Sequence, residues 1–269
     1  MHRIKHHLLT VSILFALYLL LSGQEGGGCT PEPQAPVGVD NFIVGPLLQT
    51  QWGQQGEYAT FAPNNQRLGC WSTAIAQILY FHRLQPYGTV EYYSSKYDAD
   101  DYPEYHIKEN LESYPFDWEL FVNNIDGSTI RESIDQVATY AYSTSIVLQK
   151  DWDTGGYMLS HSERANEVEN HYDCTTKWYS SLTYLSTTKA VIIEEIDANR
   201  PLMMHLRSKN KENYHAVVVD GYQWKEEEFY VHINMGHEGA KDGWYLFDGP
   251  ITSTYDDTSY RRIMTIKPD

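Results

Sequence analysis

Apolar positions along the chain follow two different spacings. Between Cys70 and about Arg83, the residues Ala74, Ile75, Ile78, Leu79 and Phe81 recur at helical spacing behind Gly69, which predicts a helix that opens on a cysteine. The stretch Ile130 to Tyr142 repeats the pattern through Ile134, Val137, Ala138 and Ala141, with Ser128 or Thr129 as the expected cap. Thr188 to Ala198 gives a third helix, which stops before Asn199-Arg200-Pro201. Beyond Pro201 the period shortens to two or to short apolar runs at 202–206, 216–219, 229–233, 244–247 and 262–266, as strands require. Helices first and strands later predict an α+β protein, its N-terminal helical part packed against a C-terminal antiparallel sheet or half-barrel.

The N-terminus follows neither spacing. Met1-His2-Arg3-Ile4-Lys5 precedes an almost unbroken apolar run from Leu8 to Leu21, a basic-then-apolar order that reads as a signal peptide over residues 1–23, with cleavage as late as residue 28. The run is short of the about 20 apolar residues a spanning helix needs. Residues 24–41, rich in Gly, Pro and Gln, read as a flexible leader, and 42–269 as the folded domain. Cleavage after Gly28 would leave Cys29 first, the arrangement of a lipid-anchored protein, although Gly26 is a poor residue for such a site. The expected product is secreted or extracellular, at the cell surface or in the periplasm if Cys29 is lipidated, with no integral membrane association beyond that anchor.

Charge narrows the partners. Twenty Lys and Arg against 36 Asp and Glu give a net charge of -16, which repels phosphate backbones and argues against nucleic acid. The three cysteines, Cys29, Cys70 and Cys174, are too few for a disulfide scaffold and leave at least one thiol free.

Cys70 is the residue with chemistry to offer. A thiolate attacks carbonyl carbon, and it is favoured at a helix N-terminus and beside an imidazole. His215 opens the apolar run HAVVVDGY, at a separation from Cys70 within the about 130 to 150 residues that part the two in papain-like enzymes. Asn234, at the end of the next strand, has an amide suited to holding the imidazole in the useful tautomer. Gln54, in Trp52-Gly53-Gln54, is placed to donate to an oxyanion together with the Cys70 backbone N–H.

At these residues the chain resembles the streptopain-like (C10) cysteine peptidases. The matching stretches are GPLLQTQWGQ (45–54), LGCWSTAIAQILYFH (68–82), FDWELF (116–121), NRPLMMHL (199–206), HAVVVDGY (215–222), FYVHINMGHEGAKDGWYLFD (229–248) and TIKP (265–268). The resemblance implies a papain-like fold with the active-site cleft between its two parts. It implies Cys70 as nucleophile, His215 as general base and acid, Gln54 as oxyanion donor and Asn234 as orienter. It also places Gly155 and Gly156 beside the cleft, with Trp71, Tyr214 and Met235 as further substrate-binding positions. The implied activity is cysteine endopeptidase hydrolysis of protein or peptide substrates, without a cofactor.

This chain departs from the family in three places. Met235 and His237 stand where the family has two tryptophans, one of which shields the imidazole, and Asn213-Tyr214 replace Gly-Gly before the histidine, so that a ring narrows the cleft. Fewer than about 20 residues separate the signal from the first motif, too few for a propeptide domain. Either no zymogen step is needed or a separate inhibitor protein restrains the enzyme. These departures motivate two alternatives, a catalytically impaired extracellular binding module and a Cys-His acyltransferase. Asp151-x-Asp153 begins like a calcium loop but has Gly155 and Ser162 where ligands belong, so it reads as a structural turn, and no metal is expected. For Cys174, packing is the expectation.

Overall fold

Helix α1 (Cys70–Phe81) forms where the spacing predicts it, and every residue from Trp71 to Leu79 is buried. In this computed structural model, which describes residues 31–37, 41–94, 105–179 and 185–269, α1 packs against a second helix and against the sheet. The signal segment and Cys29 lie outside the described residues. The polar side chains of α1 reach partners across the core: Gln77 accepts from the Trp52 backbone N–H at 3.2 Å, and the Thr73 hydroxyl donates to the Gly53 carbonyl at 3.3 Å.

Helix α2 (Arg131–Val147) runs five residues past the predicted end, burying the segment Ser143 to Val147. Its cap is Ile130, with no side-chain cap bond; Thr129 instead accepts from the Asp126 N–H at 2.9 Å. Helix α3 (His161–His171) was not predicted, because only Arg164, Ala165 and Val168 are buried and no apolar stripe marks it. A capping box between Ser160 and Glu163 fixes its start. Helix α4 (Leu185–Asp197) covers the third predicted helix and begins earlier.

Strands β1 (Asn41–Val44), β4 (Cys174–Tyr179), β5 (Leu202–Arg207), β6 (Tyr214–Lys225), β7 (Glu228–Asn234), β8 (Gly243–Leu246) and β9 (Arg262–Pro268) form one antiparallel sheet. Its order is β4-β9-β5-β6-β7-β8, with β1 paired to the far end of β6. Strands β2 (Thr89–Tyr93) and β3 (His106–Asn110) make a separate pair.

The period of two in β5, β6 and β9 sorts side chains onto the two faces. Met203, Ala216, Val218, Met264 and Ile266 join the core that holds α1 and α2. Leu202, Met204, Leu206, Val217, Val219 and Ile263 join a second core with Ile192, Ile193 and Ile196 of α4. Each such aliphatic side chain stabilises the fold by roughly 1.5–3 kcal/mol on full burial. The leader is not free throughout: Ala35 packs on the second core, and Glu32 pairs with Lys189, which also binds Asp248 at 2.8 Å.

Candidate active site

Cys70 is a free, half-buried cysteine in the first turn of α1, preceded by Gly69 at φ +93°. A side chain at position 69 would meet the Tyr157 hydroxyl at 2.6 Å and Lys150 Cε at 3.2 Å, so only glycine fits. Because glycine has no side chain to cap the helix, the Tyr157 hydroxyl does so, accepting from the Ser72 backbone N–H at 3.0 Å. Lys150, almost wholly buried beneath this turn, donates to the Asp151 and Gly156 carbonyls at 3.0 and 3.1 Å. Burial lowers its pKa to about 8, while Asp151 and Cys70 pull the other way. The buried Arg164 guanidinium lies 4.0 Å from the Trp71 ring and 4.7 Å from Tyr157, and burial lowers it to about 10.

His215 is the second residue of β6, the strand on which α1 packs. Its Nε2–H donates to the Met235 carbonyl at 3.0 Å, which leaves the Nδ1 lone pair as the basic one. Rings cover both faces: His237 stacks at 4.9 Å and Tyr255 at 5.3 Å. Burial lowers the imidazole to about 4, helped by the positive charge of Arg67. Tyr255 stacks on His215, and its phenol is raised by burial and then by Cys70.

Gln54 is buried, and Arg67 Nε–H donates to its Oε1 at 2.8 Å, which fixes the amide so that Nε2 points to the Gly236 carbonyl at 3.2 Å. Arg67 Nη2 also reaches His237 Nε2 at 3.5 Å. Gln54, Arg67, His237, His215 and Tyr255 thus form one connected chain of contacts.

The other expected positions sit as follows. Asn234 makes no bond to His215; its amide donates to the Thr50 carbonyl at 2.6 Å and to Gln77 at 3.2 Å, and its Oδ1 accepts from Gln77 and from the Gly236 N–H. It is a core fastener for the 234–236 turn, and the orienting contact comes from the neighbouring carbonyl of Met235. The Met235 side chain is buried in the second core, so shielding of the imidazole falls to His237 and Tyr255. Trp71 is also buried, stacked on His161 at 5.2 Å. Tyr214 does stand at the surface, 47% exposed and stacked on His205 at 5.6 Å. Gly155 and Gly156 lie in the turn over Lys150, where both Asp151 carboxylate oxygens are engaged by Asp153 and Thr154. His232 is paired with Asp220 at 2.6 Å. Cys174 is buried, which raises its thiol to about 12.

The model of the peptidase C10 family matches residues 52–245. The chain belongs to this family. The structure of active wild-type interpain A cysteine protease from Prevotella intermedia is similar with a TM-score of 0.65 at 21% identity, over 82% of this chain and 94% of that one. A fragment of Prevotella intermedia prointerpain A aligns with a TM-score of 0.62 at 21% identity, over 94% of this chain and 78% of that one. Comparison with curated proteins gave no match. The likeness carries the fold, the papain-like arrangement of helices and antiparallel sheet. Within this C10 peptidase, sequence reasoning missed Arg67, Lys150, Tyr157 and Tyr255, and it marked His237 only as a departure from the family's tryptophan. Arg67 had a visible signal, a lone cation three residues before Cys70 in a chain dominated by acids.

Proposed function

We propose that this protein is a secreted cysteine endopeptidase that hydrolyses protein or peptide substrates through an acyl-enzyme, with Cys70 as nucleophile and His215 as general base and acid. The observation that carries the reading is the tautomer of His215: with Nε2–H tied to the Met235 carbonyl, Nδ1 is free to take a proton. Nδ1 removes the thiol proton as sulfur bonds to the scissile carbonyl carbon, and the Gln54 amide and a backbone N–H receive the oxyanion. The carbon–nitrogen bond then breaks as the imidazolium gives that proton to the leaving amine, leaving a thioester. Water, deprotonated by Nδ1, adds to the thioester; the carbon–sulfur bond breaks, an acid leaves, and the thiol is restored. Secretion rests on the basic-then-apolar N-terminus.

Labelling of the full chain with a peptidyl epoxide, read by intact mass and peptide mapping, tests the assignment. One adduct on Cys70, absent in Cys70→Ala and reduced at least about a hundredfold in rate in His215→Ala, is the expected result for a general base. No adduct on folded, reduced protein would overturn the peptidase reading and leave the binding-module alternative.

A further inference from the structure

Arg67 is the cation beside the proposed oxyanion site. In a chain with 36 acids to 20 bases, Arg131, Arg200 and Arg207 each pair with a carboxylate. Among the described residues, no carboxylate forms an ion pair with Arg67. Arg67 is exposed, and its guanidinium is held in place rather than swinging free, by Gln54 at Nε and by His237 at Nη2. Those two contacts use two of five N–H donors, so both hydrogens on Nη1 and one on Nη2 remain to face solvent as a fork. A fork of this kind matches the two oxygens of a carboxylate.

The neighbours of Arg67 set which part of a substrate it meets. His237 lies flat on His215, the group that protonates the leaving amine, and Gln54 addresses the carbonyl oxygen of the same bond. The closest substrate atoms beyond the reacting carbonyl are therefore those of the leaving fragment. At His237, beside the fork, Lys241 acts in the same sense as Arg67 and Glu238 in the opposite one, while the Glu238 side chain lies against Gly53 rather than in an ion pair with Arg67. His237 receives the Arg67 hydrogen bond as a neutral ring and so acts as a positioning residue.

We propose that Arg67 binds a carboxylate on the leaving fragment, so that the protein prefers peptides with Asp or Glu directly after the scissile bond or with a free C-terminal carboxylate there. The inference rests on the peptidase reading above. It is tested with peptides identical up to the scissile bond and differing after it: Glu against Gln within a longer chain, and a single terminal Ala as free acid against amide. kcat/KM is measured for the wild type, Arg67→Met and Arg67→Glu.

The wild type is expected to favour at least one acid over its neutral partner by about tenfold, the scale of one charge-assisted pair. The Glu/Gln arm reports a side-chain carboxylate and the acid/amide arm a chain terminus. The ratio should fall to about one in Arg67→Met, and Arg67→Glu should favour Lys at the same position. Ratios cancel any loss of Gln54 alignment that slows all substrates alike. Equal rates for acid and neutral peptides in the wild type, or an acid preference that survives in Arg67→Met, would overturn the inference while Cys70-dependent cleavage upholds the peptidase. Absence of any Cys70-dependent cleavage would overturn the peptidase reading itself.

Discussion

His215 has its Nε2–H on a backbone carbonyl and a ring against each face, so its lone pair is aimed by main chain and stacking. Met235→Leu keeps that carbonyl and should leave kcat/KM within about threefold, since an apolar swap of similar volume is well tolerated in a core. Asn234→Ala strands partners at Thr50, Gln77 and Gly236 and should cost about 1–3 kcal/mol in stability by denaturant titration. In the proposed mechanism neutral His215 is the active form, and burial lowers it to about 4, so kcat/KM should fall as pH drops through about 4, well below the ordinary imidazole value. A pH–rate profile from brief assays after a pH jump checks this; a midpoint near 6.5 would contradict it. The placing of Cys70 at a helix start and of His215 in an apolar strand was legible in the sequence because the apolar residues beside each keep a period. The Met235 carbonyl was not, because a main-chain acceptor has no residue type to announce it.

At the scale of elements, α1 depends on a cap from outside itself. Gly69→Ala would push a methyl group into the Tyr157 hydroxyl and strain a residue at φ +93°, at a cost of about 1–3 kcal/mol. The expected outcome is a lower melting temperature together with at least about tenfold slower epoxide labelling of Cys70, because the displaced hydroxyl also uncaps the turn that bears it. Ile75→Ala, in the middle of the same buried helix, should cost about 2–5 kcal/mol. Helices α1, α2 and α4 and strands β5 to β9 were legible because their apolar residues keep a period. Helix α3 was hidden by composition, its readable mark being the Ser160–Glu163 box. Strands β2 and β3 alternate over only five residues each, with one face exposed, a span too short to separate from a loop.

For the whole molecule, two cores share one sheet, and buried imidazoles sit where that sheet meets the helices. His205 and His215 are nearly inaccessible, and burial holds them at about 3 and about 4. Both folded values lie below the ordinary 6.5, so the unfolded chain takes up protons first. Their contribution is complete above pH 6.5 and is lost as pH falls from there through about 4 for His215 and about 3 for His205. By pH 5 the loss is on the order of 2 kcal/mol for each. Melting temperature measured from pH 7.5 to 5 on Cys70→Ala should therefore decline, and His205→Phe should flatten the slope; an unchanged slope would count against this origin.

The hydroxyl that caps α1 comes from a residue 85 positions downstream. A peptide spanning 66–83 alone would thus fray at the end that bears the cysteine. A single cut within the 151–156 turn is expected to loosen Tyr157, and with it the cap on the turn that bears Cys70, without touching the helix itself.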